Sequence, residues 1–197
     1  MLYKPRSLQP KILEFEKFFK VILLLGARQV GKSTLFKHLF PHLKMVVFDP
    51  LQYLYGAGQD PDLFLRNFPS PLILDEVQYI PELLAALKRK VDLSEKKGQY
   101  LLTGSQNFQI LKNKAESLAG RVGILQLHEF TYQELNDRGT QPCWVAHYLT
   151  DPVKFFANAA GKETQEESLT SYIWRGSLPG IFLFPDSLIQ GYTNYQK

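Results

Sequence analysis

The string Gly26-Ala27-Arg28-Gln29-Val30-Gly31-Lys32-Ser33 matches the pattern GxxxxGK(S/T), and each of its parts has a task at a polyphosphate. The two glycines admit backbone conformations that turn amide N–H groups inward. A helix opening at the end of the string aims the positive end of its dipole at the same point. Lys32 adds a point charge for the terminal phosphates, the Ser33 hydroxyl is a ligand for Mg2+, and Thr34 follows on the helix. The residues expected to line a bound nucleotide are therefore Gly26, Ala27, Arg28, Gln29, Val30, Gly31, Lys32, Ser33 and Thr34. A second string, Gly161-Lys162-Glu163-Thr164, imitates only the end of the pattern and follows no strand.

A pair of acids closes the apolar run of Pro71-Leu72-Ile73-Leu74-Asp75-Glu76, which resembles a Walker B motif. At the carboxyl end of a buried strand such acids stand where ligands bind in open parallel sheets. Asp75 is expected to hold Mg2+ through water and Glu76 to polarise an attacking water. Read alone, two adjacent acids are equally compatible with a helix N-terminus. Following a complete phosphate loop, they favour an ATPase with an extra strand between the two motif strands. No Asn-Lys-x-Asp string for guanine recognition is present.

A further apolar run ends in Thr103-Gly104-Ser105-Gln106-Asn107, where a polar side chain could sense the terminal phosphate. Ser105 is the first choice, with Thr103 and Asn107 behind it. The alternative is a Ser or Asn helix cap after a glycine turn. Arg121, just before the run starting at Val122, could supply charge to the transition state in cis or in a neighbouring subunit, which would make the protein a homo-oligomer. It is equally compatible with a structural ion pair.

The elements that must position these groups follow from the hydrophobic pattern. Leu8, Ile12, Phe15, Phe18 and Phe19 have near-helical spacing, so Ser7–Lys20 reads as an amphipathic helix. Short apolar runs at Val21–Leu25, Met45–Phe48, Leu72–Leu74, Tyr100–Leu102 and Val122–Leu127 read as buried strands. Helices are expected at Gly31–Phe40, closed by Pro41, and at Pro81–Val91, with a stripe of Leu83, Leu84, Leu87 and Val91. Leu51–Phe68, with Gly56, Gly58 and Pro61, reads as loop and short helix. This alternation implies an α/β fold with a parallel sheet. After Glu129 the pattern changes. Thr131-Tyr132-Gln133-Glu134 has the capping-box form of a helix start, and helical patterns then flank Gly176–Pro179 beyond a polar break at Gly161–Ser168. The expected division is a core over 1–130 and a helical appendage over 131–197.

With 197 residues, 45% hydrophobic and 21% charged, the chain has the profile of a folded globular protein. The apolar runs are too short to span a bilayer and no N-terminal stretch resembles a secretion signal, so a cytoplasmic location and no membrane partner are expected. One cysteine, Cys143, fits a reducing compartment and reads as a packing residue. His38 and His42 have metal-like spacing, but Pro41 interrupts the helix that would align them. The net charge of +4 and the cluster Lys88, Arg89, Lys90, Lys96, Lys97 favour anionic partners. The same cluster would also decorate a helix C-terminus.

Together these strings resemble a family of prokaryotic AAA-type P-loop ATPases in which an N-terminal ATPase core precedes a C-terminal domain of unknown function. The resemblance rests on GARQVGKSTL at Gly26–Leu35, LILDEVQ at Leu72–Gln78, YLLTGSQ at Tyr100–Gln106, SLAGRV at Ser117–Val122 and WRGSLPGI at Trp174–Ile181. It runs from about Leu8 to the C-terminus. It implies a five-stranded parallel sheet in the order 5-1-4-3-2, ATP and Mg2+ as ligands, and a partial helical lid in which Gly176–Pro179 is similar to a glycine-proline motif facing the nucleotide. The family usually has a second glycine where this chain has Ser177, and its members continue beyond the position of Lys197 for a domain of similar size. The resemblance therefore implies an N-terminal portion. The functions it leaves open are a hydrolysing ATPase that switches a protein partner, a nucleotide-gated binding module with little turnover, a nucleic-acid-associated ATPase and, more remotely, a small-molecule kinase.

Overall fold

The computed structural model describes residues 3–49, 56–105, 118–141, 144–159, 172–173 and 175–182. Cys143, Asn107, Ser117, Trp174, the polar break at 161–168 and residues 51–55 of the second connection lie outside the described residues.

Five parallel strands form the sheet: β1 (Val21–Leu25), β2 (Lys44–Val47), β3 (Leu72–Asp75), β4 (Tyr100–Gly104) and β5 (Val122–Gln126). Their spatial order is β2-β3-β4-β1-β5, the implied order read from the opposite edge. Every residue of β1, β3 and β4 is buried, as expected of strands covered on both faces, and this is why they read as unbroken apolar runs. The edge strands β2 and β5 carry exposed positions. Register aligns Val21 with Tyr100 and Val122, and Leu25 with Gly104 and Gln126, so the carboxyl ends of the strands share one edge.

Around the sheet lie α1 (Gln9–Phe18), α2 (Lys32–Leu39), α3 (Pro61–Asn67) and α4 (Leu83–Asp92). In α4 the expected stripe of Leu83, Leu84, Leu87 and Val91 is buried. In α3 the Asp60 side chain accepts the Leu63 N–H at 2.8 Å, capping a helix that opens on a proline. The stripe of α1 is narrower than its spacing suggests: Ile12 is buried, but Phe18 is 64% exposed. What α1 does present is a Phe15–Phe19 pair, with ring centroids 4.9 Å apart, resting on β5 at Gly123.

Two compact units are present. Residues 8–129 make up the sheet unit, and residues 3–7 belong with the chain from 130 onward. The sequence pattern groups the N-terminal residues with the core, whereas their contacts run to the chain beyond 130. Buried Arg6 pairs with buried Glu134 at 3.3 Å, the Ser7 N–H donates to Glu134 Oε1 at 2.6 Å, and Lys4 donates to the Leu135 carbonyl at 2.6 Å. Glu134 also closes the capping box that opens α5 (Tyr132–Leu135), where the Glu134 N–H donates to Thr131 Oγ1 at 3.2 Å and the Thr131 N–H to Glu134 Oε2 at 2.9 Å. Two helices, α6 (Trp144–Thr150) and α7 (Pro152–Ala159), meet through Tyr148, which packs edge-on against Phe155 and Phe156. A further turn of helix, α8 (Pro179–Phe182), follows Gly176, and the Ser177 carbonyl accepts the Phe130 N–H at 2.8 Å.

A Cβ on Gly123 would meet the Phe19 ring at 2.7 Å. Gly123→Val is therefore expected to destabilise the chain by about 1–3 kcal/mol through overpacking. Urea unfolding with an unchanged m-value would measure it.

Candidate nucleotide site

The loop between β1 and α2 is shaped by its backbone. A Cβ on Gly26 would run into the Leu127 carbonyl oxygen, so glycine is required where the loop leaves the sheet beside β5. Gly31, at φ 93° and ψ 24°, is left-handed immediately before α2, a conformation glycine adopts without penalty. Gln29 is also left-handed, at φ 66°. These turns fold the loop so that Lys32, 4% exposed, donates to the Gly26 carbonyl at 3.0 Å and the Ala27 carbonyl at 2.8 Å. Burial pushes the Lys32 ammonium below its ordinary value. Glu76 and then Asp75 pull it back up, and Arg28 adds a smaller downward push.

The second wall comes from β3 and β4. Asp75 ends β3 and is 5% exposed. The Ser33 hydroxyl stands 2.8 Å from each of its carboxylate oxygens, and the Thr103 hydroxyl donates to Oδ1. Thr103 Oγ1 in turn accepts the Glu76 N–H at 3.0 Å. That bond holds Glu76 in a left-handed conformation, φ 61° and ψ 44°, unusual for a residue with a side chain. Strained backbone of this kind persists where the surroundings over-determine it. The Glu76 carboxylate accepts from Gln78 Nε2, and Gln78 Oε1 accepts the Ser105 N–H at 3.2 Å. Arg28 Nη2 donates to the Tyr79 hydroxyl at 3.1 Å. Gln78 and Tyr79 lie on one short 3-10 turn, Val77–Tyr79.

Lys32, Ser33, Asp75 and Glu76 are thus brought together, with Ser105 joined to them through its backbone. The polar side chain at the end of β4 that touches both acids is Thr103 rather than Ser105. The reason is register: Thr103 lies inside β4, opposite Leu24 and fully buried, whereas Ser105 is already past the strand. Arg121 does not join the site. It precedes β5, and the Val21 N–H donates to its carbonyl at 3.1 Å, so it stands at the amino edge of the sheet. The length of β1, about 16 Å, separates that edge from the phosphate loop. Its Nε donates to Asp92 Oδ1, its Nη2 lies 3.3 Å from Oδ2, and the hydrogen bond from Arg121 holds the Asp92 carboxyl below the usual range. This is the structural ion pair, and a role for Arg121 in cis is set aside. In the basic cluster, Arg89 pairs with Asp62.

A sequence model described as "AAA domain" matches residues 18–136, more than half of the chain and all five strands of the sheet. The chain belongs to this AAA family. Two uncharacterized mycobacterial proteins, from Mycobacterium bovis and Mycobacterium tuberculosis, are each 28% identical over 156 residues, 79% of this chain and 35% of theirs. The chain therefore spans about a third of the length of the curated relatives it matches. A solved Walker-type ATPase of Pyrococcus abyssi has the same fold, with a TM-score of 0.56 at 17% identity, covering 91% of this chain and 65% of that one. Membership of the family supports nucleotide binding as the general property of this AAA domain. Among the described residues, no helix is long and apolar enough to cross a membrane.

The residues that sequence reasoning missed in this AAA domain are Gln78 and Tyr79, together with the ordering role of Thr103. A Gln two positions after an acid pair is a frequent accident of composition, and only the 3-10 turn aims it back. Thr103→Val removes the acceptor of the Glu76 N–H and a donor to Asp75 at a fully buried position. The expected loss is about 1–3 kcal/mol of unfolding free energy, read from chemical denaturation of the nucleotide-free protein.

Proposed function

We propose that this AAA domain binds ATP with Mg2+ and hydrolyses it, and that the cycle drives a conformational switch on a partner macromolecule. The observation that carries the reading is the meeting, at the carboxyl edge of one sheet, of a phosphate loop with a buried lysine, the Ser33–Asp75 pair and a second acid held beside it.

The donor set fits both ligands. The loop's left-handed turns at Gln29 and Gly31 and the close approach at Gly26 are what amide N–H groups need to surround phosphate oxygens. Ser33 and Asp75 bring only oxygen donors to one point, as Mg2+ demands. Bound there, Mg2+ would neutralise charge on the β- and γ-phosphates.

Lys32 is held by two carbonyl acceptors of its own loop, and an anionic phosphate is a stronger partner for an ammonium than a neutral carbonyl. Its role is to exchange those bonds for the phosphate oxygens and steady the charge that moves toward the leaving group. Glu76 accepts the proton of a water as the water oxygen bonds to the γ-phosphorus and the bond from that phosphorus to the β–γ bridging oxygen breaks. The products are ADP and inorganic phosphate. Asp75 meanwhile keeps its place beside Ser33 and Thr103, whose hydroxyls lie against its oxygens.

Two variants test the reading. Lys32→Ala is expected to weaken ATP binding roughly 10- to 100-fold, the range for losing a hydrogen bond to a charged group. Glu76→Gln is expected to keep ATP affinity and lower phosphate release by about 10²–10⁴-fold. Equal rates for Glu76→Gln and the unaltered protein would reject the water-activating role. Measurable affinity with no turnover in the unaltered chain would replace hydrolysis by a nucleotide-gated binding function.

A further inference from the structure

The 3-10 turn after β3 carries a side chain that the hydrolysis scheme above does not use. Gln78 is half-buried and makes two contacts of opposite sense: its Nε2 donates to a Glu76 carboxylate oxygen, and its Oε1 accepts the Ser105 N–H at 3.2 Å. The two partners fix the orientation of the amide. A carboxylate can only accept and a backbone N–H can only donate, so a flipped Gln78 would lose both bonds. A primary amide can give to an acid from its nitrogen and take from an N–H at its oxygen.

Position gives these bonds a consequence. Glu76 sits in a left-handed conformation with its N–H tied to Thr103 on β4, and its carboxylate is tied through Gln78 to Ser105, just past the end of the same strand. Both ends of Glu76 are thereby referred to β4. The Gln78 N–H goes to Oε2 of Glu76, which leaves Oε1 unbonded among the described residues.

From this geometry we infer that Gln78 is a positioning residue: it orients the Glu76 carboxylate and couples it to the backbone at the carboxyl end of β4. A displacement of Ser105 is then transmitted to the acid, and a change at the acid is felt at Ser105. The inference rests on Glu76 as the water-activating group of the proposed hydrolysis, but the coupling itself is present without nucleotide.

The full 197-residue chain serves for the test. Amide NMR of the nucleotide-free protein reads the coupling without any turnover: Glu76→Gln shifts the Ser105 amide resonance, and that response collapses in a Gln78→Ala background. Phosphate release reads the consequence. Gln78→Ala lowers kcat roughly 10- to 100-fold with the KM for ATP little changed, and adds no further loss to the residual rate of Glu76→Gln. Gln78→Glu keeps an acceptor for the Ser105 N–H but sets a second carboxylate against Glu76. It removes the amide donor to Glu76 and is expected to lower kcat at least as far as Gln78→Ala does. A Ser105 amide that ignores Glu76→Gln, or responds equally without Gln78, overturns the inference. So does a kcat loss in Gln78→Ala that persists undiminished in the Glu76→Gln background. If the Ser105 response is present while the unaltered protein releases no phosphate, the hydrolysis reading fails and the coupling is upheld.

Discussion

The parallel ladder joining β1, β3 and β4 is the constraint on which the site depends. These strands are buried along their whole length, so their backbone N–H and C=O groups have no water to bond and must be paired across the sheet. The pairing leaves no freedom of register: Leu25 lies beside Gly104, and Leu74 beside Leu102. The phosphate loop departs immediately after Leu25, and the acids close β3 one position beyond Leu74. Thr103 therefore falls opposite the acids, within reach of both. A slip of one residue in β4 would turn Thr103 to the other face of the sheet. The hydrogen bonds from Thr103 to Asp75 and from Glu76 to Thr103 are thus consequences of hydrophobic burial several residues away.

Much of this was legible in the sequence because the relevant signals are local. A fully buried strand is an unbroken apolar run, and β1 runs from Val21 to Leu25 as its pattern predicts. Phosphate binding by backbone amides requires glycines at set positions, so Gly26, Gly31 and Lys32 announce the loop by spacing alone. The long-range features were not legible. Arg121 stands next to a strand in the chain, and nothing local says whether it lies at the carboxyl or the amino edge of the sheet. Its distance from the loop comes from the strand direction together with the acceptor at Asp92. Gln78 needs a 3-10 turn to face backward, and Phe18 needed a helix facing β5 through Phe15 and Phe19 to end up in solvent.

The N-terminal residues show the same limit from another side. The capping box of Thr131 and Glu134 is a local pattern and forms as its sequence indicates. That the same carboxylate also receives the Ser7 N–H and lies against the Arg6 guanidinium is a contact across more than a hundred residues, invisible to any window. Glu134 is almost wholly buried, and a buried carboxylate without partners would be costly. Its three partners from Arg6, Ser7 and Thr131 remove that cost and tie residues 3–7 to the chain beyond 130.

Both acids at the end of β3 are oriented by the same neighbouring strand, yet their surroundings differ in kind. Asp75 is surrounded by hydroxyl groups, from Ser33 at both its oxygens and from Thr103 at Oδ1. Glu76 projects from a left-handed backbone into a more open position, with one amide donor on one oxygen. A metal ligand has to stay charged and fixed, whereas a group that takes a proton from water has to expose an oxygen. The contrast between two adjacent carboxylates arises because the chain reverses its backbone conformation between them. Thr103 makes that reversal tolerable by accepting the N–H that the turn would otherwise leave unpaired. One buried hydroxyl thereby places two adjacent carboxylates in two different environments.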